Sequence, residues 1–586
     1  MKYKLLVILV FIILVAVGYN QVTKDFAKRT TTIYGNGTII TLDEYLPLAE
    51  AMLIEDGIIK AIGANKEINV FKTDEINFVD LKGATILPGF IDSHTHVALS
   101  AFLENMVDLS GFTHKTNEEV WNHLKQEIKN KKEGEWIACK GLDPILTEDL
   151  ITPNIEFLDE IAPNNPLIII SQSLHTYWAN SKAFEFSDIS KDSKNPSNSS
   201  YYEKDSEGNL TGLIAEQEAF IPFLEQLKMG PLSSENLINS TSKVLKNYAK
   251  NGNTTIVSAG LSINDAKPLR LYEHLSTNNP KFVNQLLVAF KMLPQRTQNP
   301  RHFIYIRYDK AFLLPKKSTI KNDFYSILGV KHWYDGSPYT GSMFIKKPYM
   351  VSELSKNGLH IRENSNGKPL IEKEGLKDFI KDYHEKGWQI AIHTQGDIAN
   401  ENVLQAFNEV NDALDITNGR HRIEHCLLLS GSSMDTMKAL NISPSFHINH
   451  LYYYGRALKE SIIGEERAHN ILPLQSAQNK NLIYSLHADQ PMFESNPLRL
   501  IQTAVERQTK EGATLGFNQR ISILNAIKAM TINAAWQIHM EDKIGSLKKG
   551  KYADFVILNK NPLQTPVNQI QNIKILKTVV NGNAIE

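Results

Sequence analysis

The chain has 586 residues, 42% hydrophobic and 22% charged, with a formal net charge of −1. That length exceeds one small domain and accommodates a barrel with additions, and the composition is that of an ordinary globular protein. With no basic excess and no polybasic run, the charge argues against nucleic acid and anionic lipid as partners. Two cysteines, Cys139 and Cys426, exclude a disulfide framework, though not a single bridge.

At the N-terminus, Lys2 and Lys4 precede the apolar run 5–17, and Ala16-Val-Gly18 offers a cleavage site. This layout predicts a signal peptide over 1–20. The alternative is an uncleaved membrane anchor, since the run through Tyr19 is only slightly short of a bilayer span. No cysteine lies nearby for lipidation. Both readings predict export, to the periplasm or outside the cell, or anchoring that faces away from the cytoplasm.

A charged linker, 21–29, follows. Short β-like runs then occupy 32–79, among them 37–41, 51–54 and 58–62, with the turn Glu55-Asp-Gly57 between two of them, and predict an antiparallel sheet. The C-terminus repeats the style at 554–558 and 575–583. Neither end is large enough to bury a core alone. Residues 31–83 and 540–586 are therefore expected to form one composite β domain.

Between them, strand-like and helical stretches alternate, the pattern of an α/β (β/α)8 barrel over 84–539. The strands are expected at 84–91, 254–258, 285–290, 329–334, 389–393, 420–425, 442–446 and 481–486. The stretch 97–251 is too long for one helical return and predicts an inserted subdomain after the first strand. Within it, 188–209 is rich in Ser, Asn, Asp and Lys and reads as a surface loop.

Four of these strands run into metal-ligand residue types. The first leads to His94 and His96, whose i, i+2 spacing turns both rings to one side of an extended chain. The fifth ends at His393, the sixth at His425, and the eighth leads through His487 to Asp489. Active sites of such barrels lie at the C-terminal ends of the strands, where all of these fall. Four histidines and one aspartate suit Zn²⁺ or a similar borderline ion, with room for a water. Taken singly, each histidine reads as a polar strand end and Asp489 as a helix N-cap; their joint order carries the metal reading. Cys426 directly follows His425, so strand alternation turns it away from the site as a core thiol. His421 and Glu424 read as structural. Tyr452-Tyr-Tyr454 and Trp178 suit either an aromatic pocket or plain packing.

Seven blocks in order resemble the amidohydrolase superfamily, and within it the family 3, YtcJ-like group. They are Leu87-Pro-Gly-Phe-Ile-Asp-Ser-His-Thr-His96, Gly208-Asn-Leu-Thr-Gly-Leu-Ile-Ala-Glu216, Gly329-Val-Lys-His-Trp-Tyr-Asp-Gly-Ser337, His393-Thr-Gln-Gly-Asp-Ile-Ala399, His421-Arg-Ile-Glu-His425, His487-Ala-Asp-Gln-Pro491 and the glycine- and lysine-rich stretch 545–558. The resemblance implies a metal-dependent hydrolase acting on a small molecule. It implies a carboxylated Lys331 that bridges two ions; without that bridge the site holds one. His175 matches a histidine of the insertion, implying a lid residue that hydrogen-bonds substrate. Glu216 and Asp143 also match, without a role. Where the family shows Gln-Pro before its strand-seven histidine, this chain has Ser443-Pro-Ser-Phe-His447; His447 is carried over as a substrate-binding residue, with His450 behind it.

The expected reaction is hydrolysis of a carbon–nitrogen bond other than a peptide bond, with Asp489 as general acid–base and His175 supporting the oxyanion. Deamination, cyclic-imide opening or ester hydrolysis at the same site, and metal binding without catalysis, are the alternatives. Assembly into a homo-oligomer is left open.

Overall fold

The computed structural model describes residues 30–147, 149–196, 200–228, 234–277, 282–290, 292–316 and 322–586. The segment read as a signal peptide lies outside them. Among the described residues no helix is long and apolar enough to cross a membrane.

Eight strands make one near-closed, TIM-like sheet: β1 (Phe90–Thr95), β2 (Asn253–Leu261), β3 (Arg301–Arg307), β4 (Tyr325–Trp333), β5 (Gln389–Thr394), β6 (Arg422–His425), β7 (Ser443–Phe446) and β8 (Ser485–Leu486). They lie side by side in chain order, and the registers of β2–β3 and β5 through β8 are parallel. Every residue of β1, β5, β6 and β7 is buried, as expected of parallel strands covered on both faces. Where β1 ends, the His96 N–H donates to the Gln490 carbonyl at 2.8 Å, tying the first strand to the segment after the eighth.

Two expected strands are corrected. The run 84–91 does not form one strand: Thr85–Pro88 pairs with Thr38–Ile40 and Phe555–Leu558, and only Phe90 onward enters the barrel. The break falls at Gly89, where a Cβ would overlap the Thr254 side chain, so only glycine lets the chain pass. The expected third strand, 285–290, lies in and at the end of the helix Phe282–Ala289; β3 comes later, after Pro294 and Pro300. A short apolar run such as Leu286-Leu-Val-Ala fits helix and strand equally by pattern alone. The eighth strand is also shorter than 481–486.

The chain divides into two compact units, one holding the described residues up to Ser93 with Leu245–Val330 and Ile527–Glu586, the other His94–Val244 with Lys331–Ala526. In the first, both chain ends build one six-stranded sheet, ordered Asn583–Ala584, Ile575–Val580, Phe555–Leu558, Thr85–Pro88, Thr38–Ile40, Leu48–Ala49. The remaining N-terminal strands form a separate four-stranded sheet, and it is not wholly antiparallel: Thr32–Gly35 pairs parallel with Asn77–Asp80. Tyr34, Met52, Ile59, Leu547, Phe555 and Val579 share one core. In the same unit the guanidinium of Arg301 on β3 clasps the Asp554 carboxylate, with Nη2–Oδ1 at 2.9 Å. The Phe324 and Tyr552 rings lie 3.9 and 4.3 Å from the guanidinium carbon.

The second unit contains the insertion, a six-stranded sheet of Tyr201–Lys204, Leu210–Ala215, Thr176–Ala179, Leu167–Ser171, Ile137–Leu142 and Val107–Asp108. Trp178 is buried in its core beside Trp121 and Leu158, so packing accounts for it. The polar stretch read as a surface loop contains the strand Tyr201–Lys204.

Candidate metal centre

Every residue of the site belongs to the second unit. β1 delivers His94 and His96, and the eighth strand delivers Asp489: Asp489 Oδ1 lies 2.9 Å from His96 Nε2 and 3.4 Å from His94 Nε2. His425 joins from β6, its ring centroid 4.7 Å from that of His94 and 4.2 Å from that of His393. Its Nδ1 sits 3.8 Å from Asp489 Oδ2. His487 stacks on His94 at 4.6 Å and brings Nε2 to 3.3 Å from His425 Nδ1.

The ligand atoms of His94, His96 and Asp489 all lie within 4.8 Å of one another, as do those of His94, His425 and His487. Atoms each about 2–2.3 Å from one ion are at most about 4.6 Å apart, so this spacing suits a shared divalent cation. The donor chemistry fits as well. Burial, aided by the field of Lys331, holds the His94 and His393 imidazoles well below their ordinary titration range, and burial with the neighbouring His393 and His94 does the same to His425. Burial works to raise the Asp489 carboxyl, but the bond from His96 and the field of His96, His447 and Lys331 outweigh it and hold the group ionised. Neutral imidazoles and an ionised carboxylate are the forms that bind metal.

Outer residues aim these ligands. Glu424 Oε2 takes the N–H of His94 Nδ1 at 2.6 Å, while Arg422 grips the same carboxylate with Nη2 at 3.1 Å. That fixes the tautomer and leaves His94 Nε2 facing Asp489. Strand alternation sends Glu424 and His425 to opposite faces, which is why Glu424 reads as structural in the sequence. The chain departs from alternation: His425 has φ +72°, Cys426 +52° and Asp489 +57°. Two consecutive left-handed residues are costly outside glycine, and here they let neighbours on β6 serve one site. Cys426 is buried, unbridged, and directed to the Ile423 carbonyl, in keeping with a core thiol. At the end of β5, Asp335 accepts the N–H groups of Gln395 and Gly396, each at 2.9 Å. It thereby fixes the turn just past His393 and stands 3.9 Å from the His393 Nε2.

Lys331, on β4, is fully buried, and its Nζ has no hydrogen-bond partner among the described residues. Burial pushes its ammonium down to about 8, against the pull of Glu424 and Asp489. A neutral amine is therefore accessible near neutral pH.

His447 is fully buried with Nδ1 3.8 Å from Asp489 Oδ2. His450 lies behind it at 4.0 Å, held by the Tyr339 hydroxyl at 2.6 Å. Of the tyrosine run, Tyr454 donates to Asp143 at 2.7 Å, and Tyr453 stacks on Phe493, whose edge meets His447 at 5.4 Å. His175 is not among the residues whose ligand atoms cluster, though its field reaches His393. It is about one-third exposed, and its Nδ1 meets Glu216 Oε2 at 2.8 Å. Gln172, in the same loop, donates to the Met492 carbonyl, three residues past Asp489. Sequence reasoning missed Glu424, Arg422, Asp335 and Gln172 as supports of the site; the Arg422-x-Glu424 spacing on one strand face was the available signal.

Known proteins extend this picture. A 24% identical protein, the putative amidohydrolase YtcJ of Bacillus subtilis, aligns over 94% of this chain and 99% of its own length. The N-substituted formamide deformylase of Arthrobacter pascens is also 24% identical, over 93% of this chain and 96% of that enzyme. Among solved structures, an uncharacterized metal-dependent hydrolase from Pyrococcus horikoshii superposes with a TM-score of 0.68 at 22% identity, covering 92% of this chain and 99% of the other; at that identity it speaks for the fold. The amidohydrolase family pattern matches residues 77–585. Over residues 77–585, then, this chain belongs to the amidohydrolase family of hydrolases.

Proposed function

We propose that this hydrolase cleaves a small-molecule amide other than a peptide, of the N-substituted formamide or N-acyl amine class. The observation that carries the reading is the crowding of candidate ligands at the strand ends: the ligand atoms of His94, His96 and Asp489, and those of His94, His425 and His487, lie within 4.8 Å of one another, and His425 Nδ1 lies 3.8 Å from Asp489. The formamide deformylase among the relatives supports the bond type. His94, His96, His393, His425 and Asp489 would hold a divalent ion, Zn²⁺ by donor type. Lys331, once carboxylated, would add the oxygens for a second.

When bound, such an ion supplies Lewis acidity toward a carbonyl and toward water. Asp489 accepts a proton from the attacking water at a carboxylate oxygen and returns it to the nitrogen as the carbon–nitrogen bond breaks. His175 offers a hydrogen bond to the oxygen that gains charge. His447, beside Asp489, meets the bound substrate.

The test joins metal analysis to a panel of formamides, N-acyl amines, cyclic imides and esters. The expected result is one or two bound zinc ions, fewer in Lys331→Ala, with formamides and N-acyl amines turned over fastest. Tight metal without turnover of any member of the panel would sink the hydrolytic reading; preference for imides or esters would move the bond type. For the segment 1–20 we propose export. Mass spectrometry should find the mature protein outside the cytoplasm, either cleaved near residue 18 or membrane-held; soluble cytoplasmic protein with an intact N-terminus would refute it.

A further inference from the structure

The antiparallel strand pair beside His175 holds a second group without a role. Thr176–Ala179 pairs antiparallel with Leu210–Ala215, with Thr176 opposite Ala215. Just beyond that pair the backbone leaves extended geometry on both sides: Leu174 and Glu216 each have φ +65°. Such conformations are uncommon outside glycine, cost about 1–3 kcal/mol each, and persist where surrounding contacts enforce them. Here the contacts are double. The Glu216 N–H donates to the His175 carbonyl at 2.8 Å, and the Glu216 carboxylate meets the His175 ring at 2.8 Å. The helix Glu216–Lys228 starts at this residue, fixing it from behind. The bond from Gln172 to Met492 ties the same loop to the segment that carries Asp489. Both side chains remain about one-third exposed, so apolar packing does not account for the pair.

We propose that Glu216 is a positioning residue of the hydrolytic site: it accepts the Nδ1–H of His175 and turns that ring's Nε2–H toward the carbonyl oxygen of the substrate. This rests on the hydrolase reading above. The charged groups facing His175 are Glu216 and Glu218, with His393 within reach of its field. Burial works to lower the His175 titration, and the two carboxylates outweigh it, so the cation persists above the ordinary range near 6.5. Activity that needs this cation is retained at lower pH and is lost as pH rises through the raised value.

The test uses the full-length, metal-loaded protein labelled at histidine Cε1, with the His175 signal assigned by its loss in His175→Gln. In Glu216→Gln the signal should titrate lower than in the wild type, because the carboxylate that favours the cation is gone. The alkaline limb of kcat/KM on the best formamide should move down by the same amount. Glu216→Asp, which keeps the charge but shortens the reach, should keep the raised titration and lower kcat with little change in KM. An unmoved signal in an active Glu216→Gln enzyme overturns the role of Glu216 alone. A shifted signal in a wild type that turns over no amide overturns the hydrolase reading, and the catalytic use of the pair with it.

Discussion

Asp489 is the one carboxylate among the five proposed ligands, and it lies within 4 Å of His94, His96, His425 and His447. Asp489→Asn keeps its shape while removing charge and basicity. The variant should retain some metal by elemental analysis yet lose roughly 10²-fold or more in kcat, the scale of general acid–base catalysis. The histidines carry a separate expectation. Because His94, His393 and His425 titrate well below 6.5, protons do not compete for their nitrogens at neutral pH. In Lys331→Ala, which removes the amine that burial brings down to about 8, chelator competition should give nearly constant metal affinity from pH 8 to about 6.5 and a fall only on further acidification. A tenfold loss between pH 8 and 7 would contradict it.

β6 shows how an element does more than carry its ligand. Its residues Arg422, Glu424 and His425 form a sequence of supports ending at the proposed metal site, with Glu424 hydrogen-bonded to His94 on β1. Glu424→Gln should lower metal affinity by about 10–100-fold, as removal of a ligand's outer partner does, with the unfolding midpoint of the metal-loaded protein falling in step. The placement of the candidate ligands at strand ends was legible in the sequence because strand ends and residue types are local properties. The role of Glu424 was not, because it depends on the left-handed turn at His425, and nothing in Arg422-Ile-Glu-His425 announces that turn. The same distinction explains the strands. The fifth and sixth stand where the apolar runs predict, whereas the first is cut by the close approach of Gly89 to Thr254, residues far apart along the chain. The third was lost to a helix with an equally apolar pattern.

In the whole molecule, the unit built from both chain ends depends on its last strands. Phe555–Leu558 is the neighbour of Thr85–Pro88, and Asp554 neutralises the buried Arg301. Removing one partner of a buried pair leaves an uncompensated charge, at a cost of about 3–5 kcal/mol. Asp554→Ala should show that loss in urea unfolding. A chain ending before Asp554 should not recover the fold of this unit, as read by circular dichroism and proteolysis; a truncated chain that stays protease-resistant and active would show that the terminal strands are dispensable.

Lys331 brings a different kind of consequence. An ammonium shut away from water with no hydrogen-bond partner among the described residues is a liability to the metal-free polypeptide. Replacing it by methionine, similar in bulk and without charge, should raise the melting temperature of the metal-free protein by a few degrees, roughly 1 kcal/mol or more, while cutting metal occupancy and turnover. On this expectation heat resistance and function would be opposed at this position. A directed-evolution campaign that scored survival at high temperature alone would enrich the inactive protein, and an ancestral lineage released from its substrate would be expected to lose this lysine early.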